Sequence, residues 1–126
     1  MKKPTDLPIH IKTDMLRRKP IRWLGDSLSQ VRTFPAEARV AIGTELRHVQ
    51  EGEMPADWKP FPSVGSGVNE VRIHADGEYR ALYVAKFAEF VYVIHAFEKK
   101  ARKTPKSDIA LAKKRYRDLI AERRGK

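Results

Sequence analysis

Apolar residues change their spacing several times along this chain, and each change marks an element. In "PIRWL" (20–24) a short apolar run lies between Pro20 and Gly25. It predicts a strand, and Pro20 at its start suits an edge or first-residue position. "TFPAEARVAIGTELRHVQEGE" moves to helical spacing, with Ala38, Ile42, Leu46 and Val49 on one side. Pro35 suits the first turn of that helix and Gly52 its stop. "GDSLSQVRT" (25–33) predicts a short helix leading into it. Residues 53–67 hold three prolines and two glycines. They predict a loop, with Trp58 and Phe61 as aromatic anchors.

Three strand patterns follow. "VNEVRIH" (68–74) alternates, with Val71 and Ile73 on one face and Glu70, Arg72 and His74 on the other. Asp76-Gly77 supplies a hairpin turn. In "EYRALYVAKF" (78–87), Arg80, Leu82, Val84 and Lys86 share a face. "FVYVIHAF" (90–97) is apolar on both faces, as a covered central strand should be, and Ala88-Glu89 is short enough to link a second hairpin. A final helix carries the apolar stripe Ile109, Ala112, Tyr116, Leu119 and Ile120. Thr104 and Ser107 are its candidate caps, and Lys113, Lys114, Arg117 and Arg124 fall mostly on the rest of its surface. The order predicts an α+β domain: an antiparallel sheet, made of the N-terminal strand and a three-strand meander, packed with helices. Residues 1–19, with Pro4, Pro8 and scattered charge, read as a flexible arm before a single domain over 20–124.

Charge sharpens this picture. The 126 residues suit one domain, and the formal net charge is +10. Residues 1–33 carry 8 basic and 3 acidic side chains, residues 34–94 carry 6 and 9, and residues 95–126 carry 12 and 4. A mildly acidic centre between basic ends predicts a localised electropositive face, and so an anionic partner. Five of the twelve residues in "HAFEKKARKTPK" (95–106) are basic. The absence of cysteine excludes disulfides, zinc-thiolate sites and thiol catalysis, and it fits a reducing cytosol. The start shows no apolar signal region, and no apolar run approaches the roughly 18 residues of a membrane span. The expected location is cytoplasmic, with no membrane partner.

The four histidines, 10, 48, 74 and 95, show no paired ligand spacing, so neither a metal nor another cofactor is expected. No Gly-rich loop precedes a helix in a nucleotide-binding pattern. The meander is richer. Arg72 and His74 share a face, Arg80 follows the turn, and His95 lies late on the third strand before Lys99, Lys100, Lys103 and Lys106. Such a group can hold a phosphate and stabilise added charge on it, with histidine moving a proton. Plainer readings stand beside this one. Arg80 could pair with Glu70, His95 could be a hydrogen-bonded core residue, and His74 a solvated one. The basic face of the last helix could be solvation alone, and Tyr79, Tyr83 and Tyr92 read as core aromatics.

"VRIHADGEYRALYVAKFAEFVYVIHAFEKKARKTPKSDIALAKKRY", with the "PIRWLGDSL…FP" opening, resembles the phage-derived Gp49-like, HigB-like branch of the RelE/ParE toxin superfamily. The resemblance covers roughly residues 20–120. It implies the small RelE-like fold and the toxin of a type II toxin–antitoxin pair. Its activity would be metal-independent cleavage of mRNA on the ribosome, with the 2′-hydroxyl attacking the adjacent phosphate to inhibit translation. By the same resemblance Arg80 matches an arginine over the scissile phosphate. His74, His95 and Lys100 become catalytic candidates, and Arg72, Lys99, Lys103 and Lys106 RNA-phosphate ligands. Tyr116 lies on the apolar stripe and is expected to be core. The implied partners are a cognate antitoxin, a helix-turn-helix protein, together with mRNA and the ribosome. The alternatives are a ParE-like inhibitor of DNA gyrase and a basic RNA- or ribosome-binding module without turnover.

Overall fold

The computed structural model of the chain describes residues 18–125. In order, these form β1 (Ile21–Trp23), α1 (Ser27–Arg32), α2 (Ala36–Gln50), β2 (Trp58–Pro60), β3 (Val68–His74), β4 (Glu78–Val84), β5 (Val91–Glu98) and α3 (Lys106–Arg124). The strands make one sheet in the order β1-β5-β4-β3-β2. The domain is α+β, as the periodicity predicts, but the strand pattern differs in detail. β1 pairs parallel with β5, so the sheet is mixed rather than antiparallel. β2 adds a strand inside the segment read as a loop, pairing Trp58 with Val71 and Pro60 with Asn69. All three of its residues are exposed, so no alternation announces it.

The β3–β4 hairpin turns through Asp76 and Gly77, both with positive φ (52° and 147°), between the paired residues His74 and Glu78. β4 stops at Val84, and residues 85–90 connect it to β5. Pro35 and Pro105 occupy the N-cap positions of α2 and α3, and neither helix has a side-chain cap. Thr104 and Ser107 therefore do not cap α3. Of the arm expected over 1–19, residues 1–17 lie outside the described residues. Arg18 pairs with Glu51 at 2.7 Å. Lys19 Nζ donates to the carbonyls of Ala85 and Phe87.

Each sheet face buries its own apolar cluster. Val31 of α1, Phe34, and Ala38, Ile42, Leu46 and Val49 of α2 pack on Val71, Ile73, Ala81, Tyr83 and Val93. On the opposite face Ala112 and Leu119 of α3 pack on Val68, Leu82, Val84, Tyr92 and Ile94. Tyr79, Tyr83 and Tyr92 are all buried. Tyr116 is half-buried against the α3 cluster, and its hydroxyl donates to the Ser66 carbonyl at 2.8 Å.

A bulge in β5 adjusts that second face. Leu82 pairs with His95, but the next residue, Tyr83, pairs with Val93, which leaves Ile94 extra. Two residues then oppose one, which is how a bulge re-aims side chains. Both Ile94 and His95 meet the α3 side: Ile94 packs with Ala112 and Leu119, and His95 bonds Asp108 of α3.

Two polar clasps hold α3 down. Arg115 donates to the Ile94 carbonyl at 3.0 Å and to Asp26 at 2.5 Å. Its guanidinium holds the Asp26 carboxyl below the ordinary carboxylate range. At the far end Arg123 donates to Glu89 at 2.8 Å and lies 3.7 Å over the Phe87 ring. Arg123 first, then the Tyr92 hydroxyl, pulls the Glu89 carboxyl down to about 2.

At Gly25 φ is +52°, and an added Cβ would sit 2.4 Å from the Arg115 guanidinium. Gly25→Ala should destabilise by about 2 kcal/mol in urea unfolding. Gly43→Ala, mid-helix with nothing within 4 Å of its added Cβ, should stabilise by about 0.5–1 kcal/mol. Glu89 lies lower in the folded chain than its ordinary 4.5, so its contribution is present above that pH and is lost as pH falls toward about 2. Glu89→Gln should flatten the acid side of the stability profile, measured as urea midpoints between those two pH values.

Candidate functional site

The α3 face of the sheet is divided along its strands. One end is apolar: Val68, Leu82, Val84, Tyr92 and Ile94 lie beneath α3. The other end carries Glu70, Arg72 and His74 of β3 against Glu78 and Arg80 of β4. The alternation of "VNEVRIH" places these charges on that face, and α3 does not close over them.

A chain of alternating charge runs across this end. His74 Nε2 is 2.7 Å from Asp57, and its Nδ1 is 2.8 Å from Glu78. Glu78 accepts from Arg80 at 3.0 Å. Arg80 Nε lies 3.9 Å from Glu70, and Arg72 Nε donates to Glu70 at 3.3 Å. Glu70 and Arg80 are buried, at 2% and 5% exposure. Hydrogen bonds donated to Asp57 and then to Glu78 raise the His74 pKa above its ordinary 6.5, so the imidazolium form is favoured.

Beside this chain opens a cavity of about 460 Å³. Its lining carries six cations: Lys59 from β2, Arg72 from β3, Lys99, Arg102 and Lys103 from the β5–α3 connection, and Lys106 from the first turn of α3. Glu70 is the one carboxylate of the lining, and Phe61 and Ile109 supply apolar walls. The connection is braced by its own backbone. Lys99 N donates to the Glu78 carbonyl at 2.7 Å, and Lys99 Nζ to the Arg102 carbonyl at 2.6 Å. A polar, cation-lined hollow of this size suits a phosphate with part of its carrier.

The structure thus brings Arg72, Lys99, Lys103 and Lys106 into one cavity. It does not bring all the sequence-expected residues there. Arg80 lies buried beside Glu70, outside the lining. His74 stands two residues along β3 from Arg72, held between two carboxylates. Lys100 is 79% exposed in its side chain, with Glu98 3.9 Å away. His95 is buried under α3, where Nε2 lies 2.6 Å from Asp108 and Nδ1 faces Arg115 Nη1 at 3.3 Å. Arg115 can only donate, so Nδ1 accepts and Nε2 carries the hydrogen to Asp108. With both ring nitrogens engaged and Phe97 stacked on it at 5.3 Å, His95 takes the position of a hydrogen-bonded core residue.

Lys59, Arg102 and Glu70 were not singled out from the sequence as site residues. Arg102 sits inside the basic run and Glu70 alternates with Arg72, so both had a signal. Lys59 had none, because β2 is exposed at every residue and shows no alternation. Away from the cavity, His48, Glu51 and Glu53 bring ligand-type atoms within 4.8 Å of one another, a grouping not apparent from histidine spacing. Glu51 there is paired with Arg18 and His48 with Glu53. No helix of the described residues is long and apolar enough to cross a membrane.

Proton NMR of His74 should show a titration midpoint above 6.5, and Asp57→Asn should move it down. The sign fixes the pH window: a raised pKa gives stabilisation that is complete below the ordinary value and is lost as pH rises through the folded one. The Asp57–His74–Glu78 clasp should therefore loosen on the alkaline side.

Comparison with known proteins adds the lineage. No curated protein matches the chain. Residues 29–117 match the phage-derived protein Gp49-like family (DUF891), a stretch from α1 into α3 that contains β2 through β5 and the whole cavity lining. The chain therefore belongs to the Gp49-like phage-derived family, which is the family of the RelE/HigB-like toxins.

Proposed function

We propose that this protein is the toxin of a toxin–antitoxin pair and that it cleaves mRNA at the cationic cavity. The observation that carries the reading is the cavity itself, where six cations from four segments of the chain surround a single carboxylate. In this reading Arg72, Lys99, Lys103 and Lys106 hold the scissile phosphate and offset the charge that develops on it. Glu70 and Arg80 act from below, fixing the Arg72 guanidinium through the pairs at 3.3 and 3.9 Å.

The substrate supplies its own nucleophile. The 2′-hydroxyl oxygen forms a new bond to phosphorus, the bond from phosphorus to the 5′-oxygen breaks, and one proton passes from the first oxygen to the second. The cavity's part is alignment and charge stabilisation, which are large effects when the donors are fixed beforehand. On this face Glu70, His74 and Glu78 are side chains able to carry the proton. The partners in this reading are an antitoxin that covers the basic face, mRNA and the ribosome. Association with either polyanion weakens as salt is added.

One observation favours a second reading, binding without turnover. Both candidate histidines have both ring nitrogens engaged, His74 by two carboxylates and His95 by Asp108 and Arg115. Expression from a tight promoter with mapping of mRNA 5′ ends separates the two. Cleavage predicts growth arrest with new 5′ ends. Arg72→Ala should cut their yield about 10- to 100-fold, the range for one lost charge-assisted contact. Arrest with intact mRNA rules the ribonuclease reading out. Salt-sensitive ribosome association without arrest or cleavage identifies the binding module.

A further inference from the structure

The last helix is charged unevenly around its axis. On one flank the cations are engaged: Lys114 with Asp118 at 2.8 Å, Arg115 with Asp26, and Arg123 with Glu89. On the other flank Lys113, Arg117 and Arg124 make no salt bridge or hydrogen bond among the described residues. Those three line a second groove of about 430 Å³, whose walls include Val64, Tyr116 and Ile120 and no acidic residue.

This groove lies farther along the same helix as the cationic cavity. Phe61 and Ile109 border the cavity, while Ser63, Val64 and Tyr116 border the groove. The same two walls, the chain after β2 and one flank of α3, therefore bound both. Residues 106, 109, 113, 116, 120 and 124 recur at steps of three and four, which keeps them on one side of a helix. At 1.5 Å per residue, Lys106, Lys113, Arg117 and Arg124 are spaced at about 10, 6 and 10 Å along about 27 Å of helix. Cations spaced along an apolar-walled groove suit a flexible polyanion, whose phosphates meet the charges while its bases face the walls.

We propose that this groove is a second RNA subsite, which takes the single-stranded segment running on from the phosphate held in the cavity. The proposal rests on the cavity reading above. It goes further in assigning Lys113 and Arg117 to RNA beyond the cleavage point, so the substrate is an extended strand rather than one phosphodiester. The alignment of this flank with the cavity along one helix favours RNA over an acidic protein segment, because one strand can reach both.

Fluorescence anisotropy with labelled oligouridine tests it, using a short strand of about three nucleotides and a long one of about twelve, against the intact protein. The long strand should bind more tightly and with a steeper salt dependence. The exposed double variant Lys113→Glu/Arg117→Glu should lose about tenfold or more in affinity for the long strand and keep its affinity for the short one. Its slope of log affinity against log salt should fall by about 1.4, from two lost single-strand contacts. Equal affinity of variant and wild type for the long strand overturns the subsite. So does an equal loss for both lengths. If that variant instead loses only its antitoxin, the groove belongs to the protein partner and the RNA assignment is overturned. Arg72→Ala should weaken both lengths. If it weakens neither, the cavity reading falls, and the second subsite falls with it.

Discussion

A buried carboxylate has to be paired, and Glu70 organises its surroundings through that requirement. Removing an ionised carboxylate from water is costly unless opposite charge stands close by. Arg72 and Arg80 meet the need at 3.3 and 3.9 Å. Arg80 is itself buried and leans on Glu78, which holds His74, which reaches Asp57. Asp57 stands just before β2, and its carbonyl accepts from Arg72 N at 2.9 Å. A three-residue, wholly exposed strand is weak on its own. Here the charge chain and the backbone fix it together, and Lys59 is carried to its place over the cavity.

The same network decides where α3 can lie. An apolar helix face gains by covering Leu82, Val84 and Ile94 and would gain nothing over Glu70 and Arg80. The sheet therefore leaves one end of a face uncovered by the helix, and the β5–α3 connection brings lysine and arginine there instead. Those cations repel one another across the cavity. An anion bound among them relieves the repulsion, so occupancy of the site and stability of the fold are coupled.

The parts of this arrangement differed in how plainly they could be read in advance. β3 was legible because one of its faces is apolar and the other charged, so alternation shows directly. β2 was not, since a strand exposed at every residue carries no period. The parallel pairing of β1 with β5 joins segments about seventy residues apart, which no local pattern encodes. The β5 bulge was hidden for the opposite reason. "FVYVIHAF" is apolar on both faces, so slipping by one residue leaves its pattern unchanged. That is why His95 could not be assigned to a face, and why its engagement by Asp108 and Arg115 needed the fold. Of the site, the basic run and the Arg72 face were visible, whereas the residues that only tertiary structure gathers, such as Lys59, were not.

The sheet order also governs the moment at which the cavity can form. β1 is made first, yet its strand neighbour is β5, and the cavity needs both Lys59 and the residues just after β5. Chains emerge and begin to fold from the N-terminus. During synthesis the early strand stays unpaired until β5 arrives, and no partial chain holds a complete cavity. The cavity is thus complete only when the connection after β5 and the first turn of α3 have closed over the sheet.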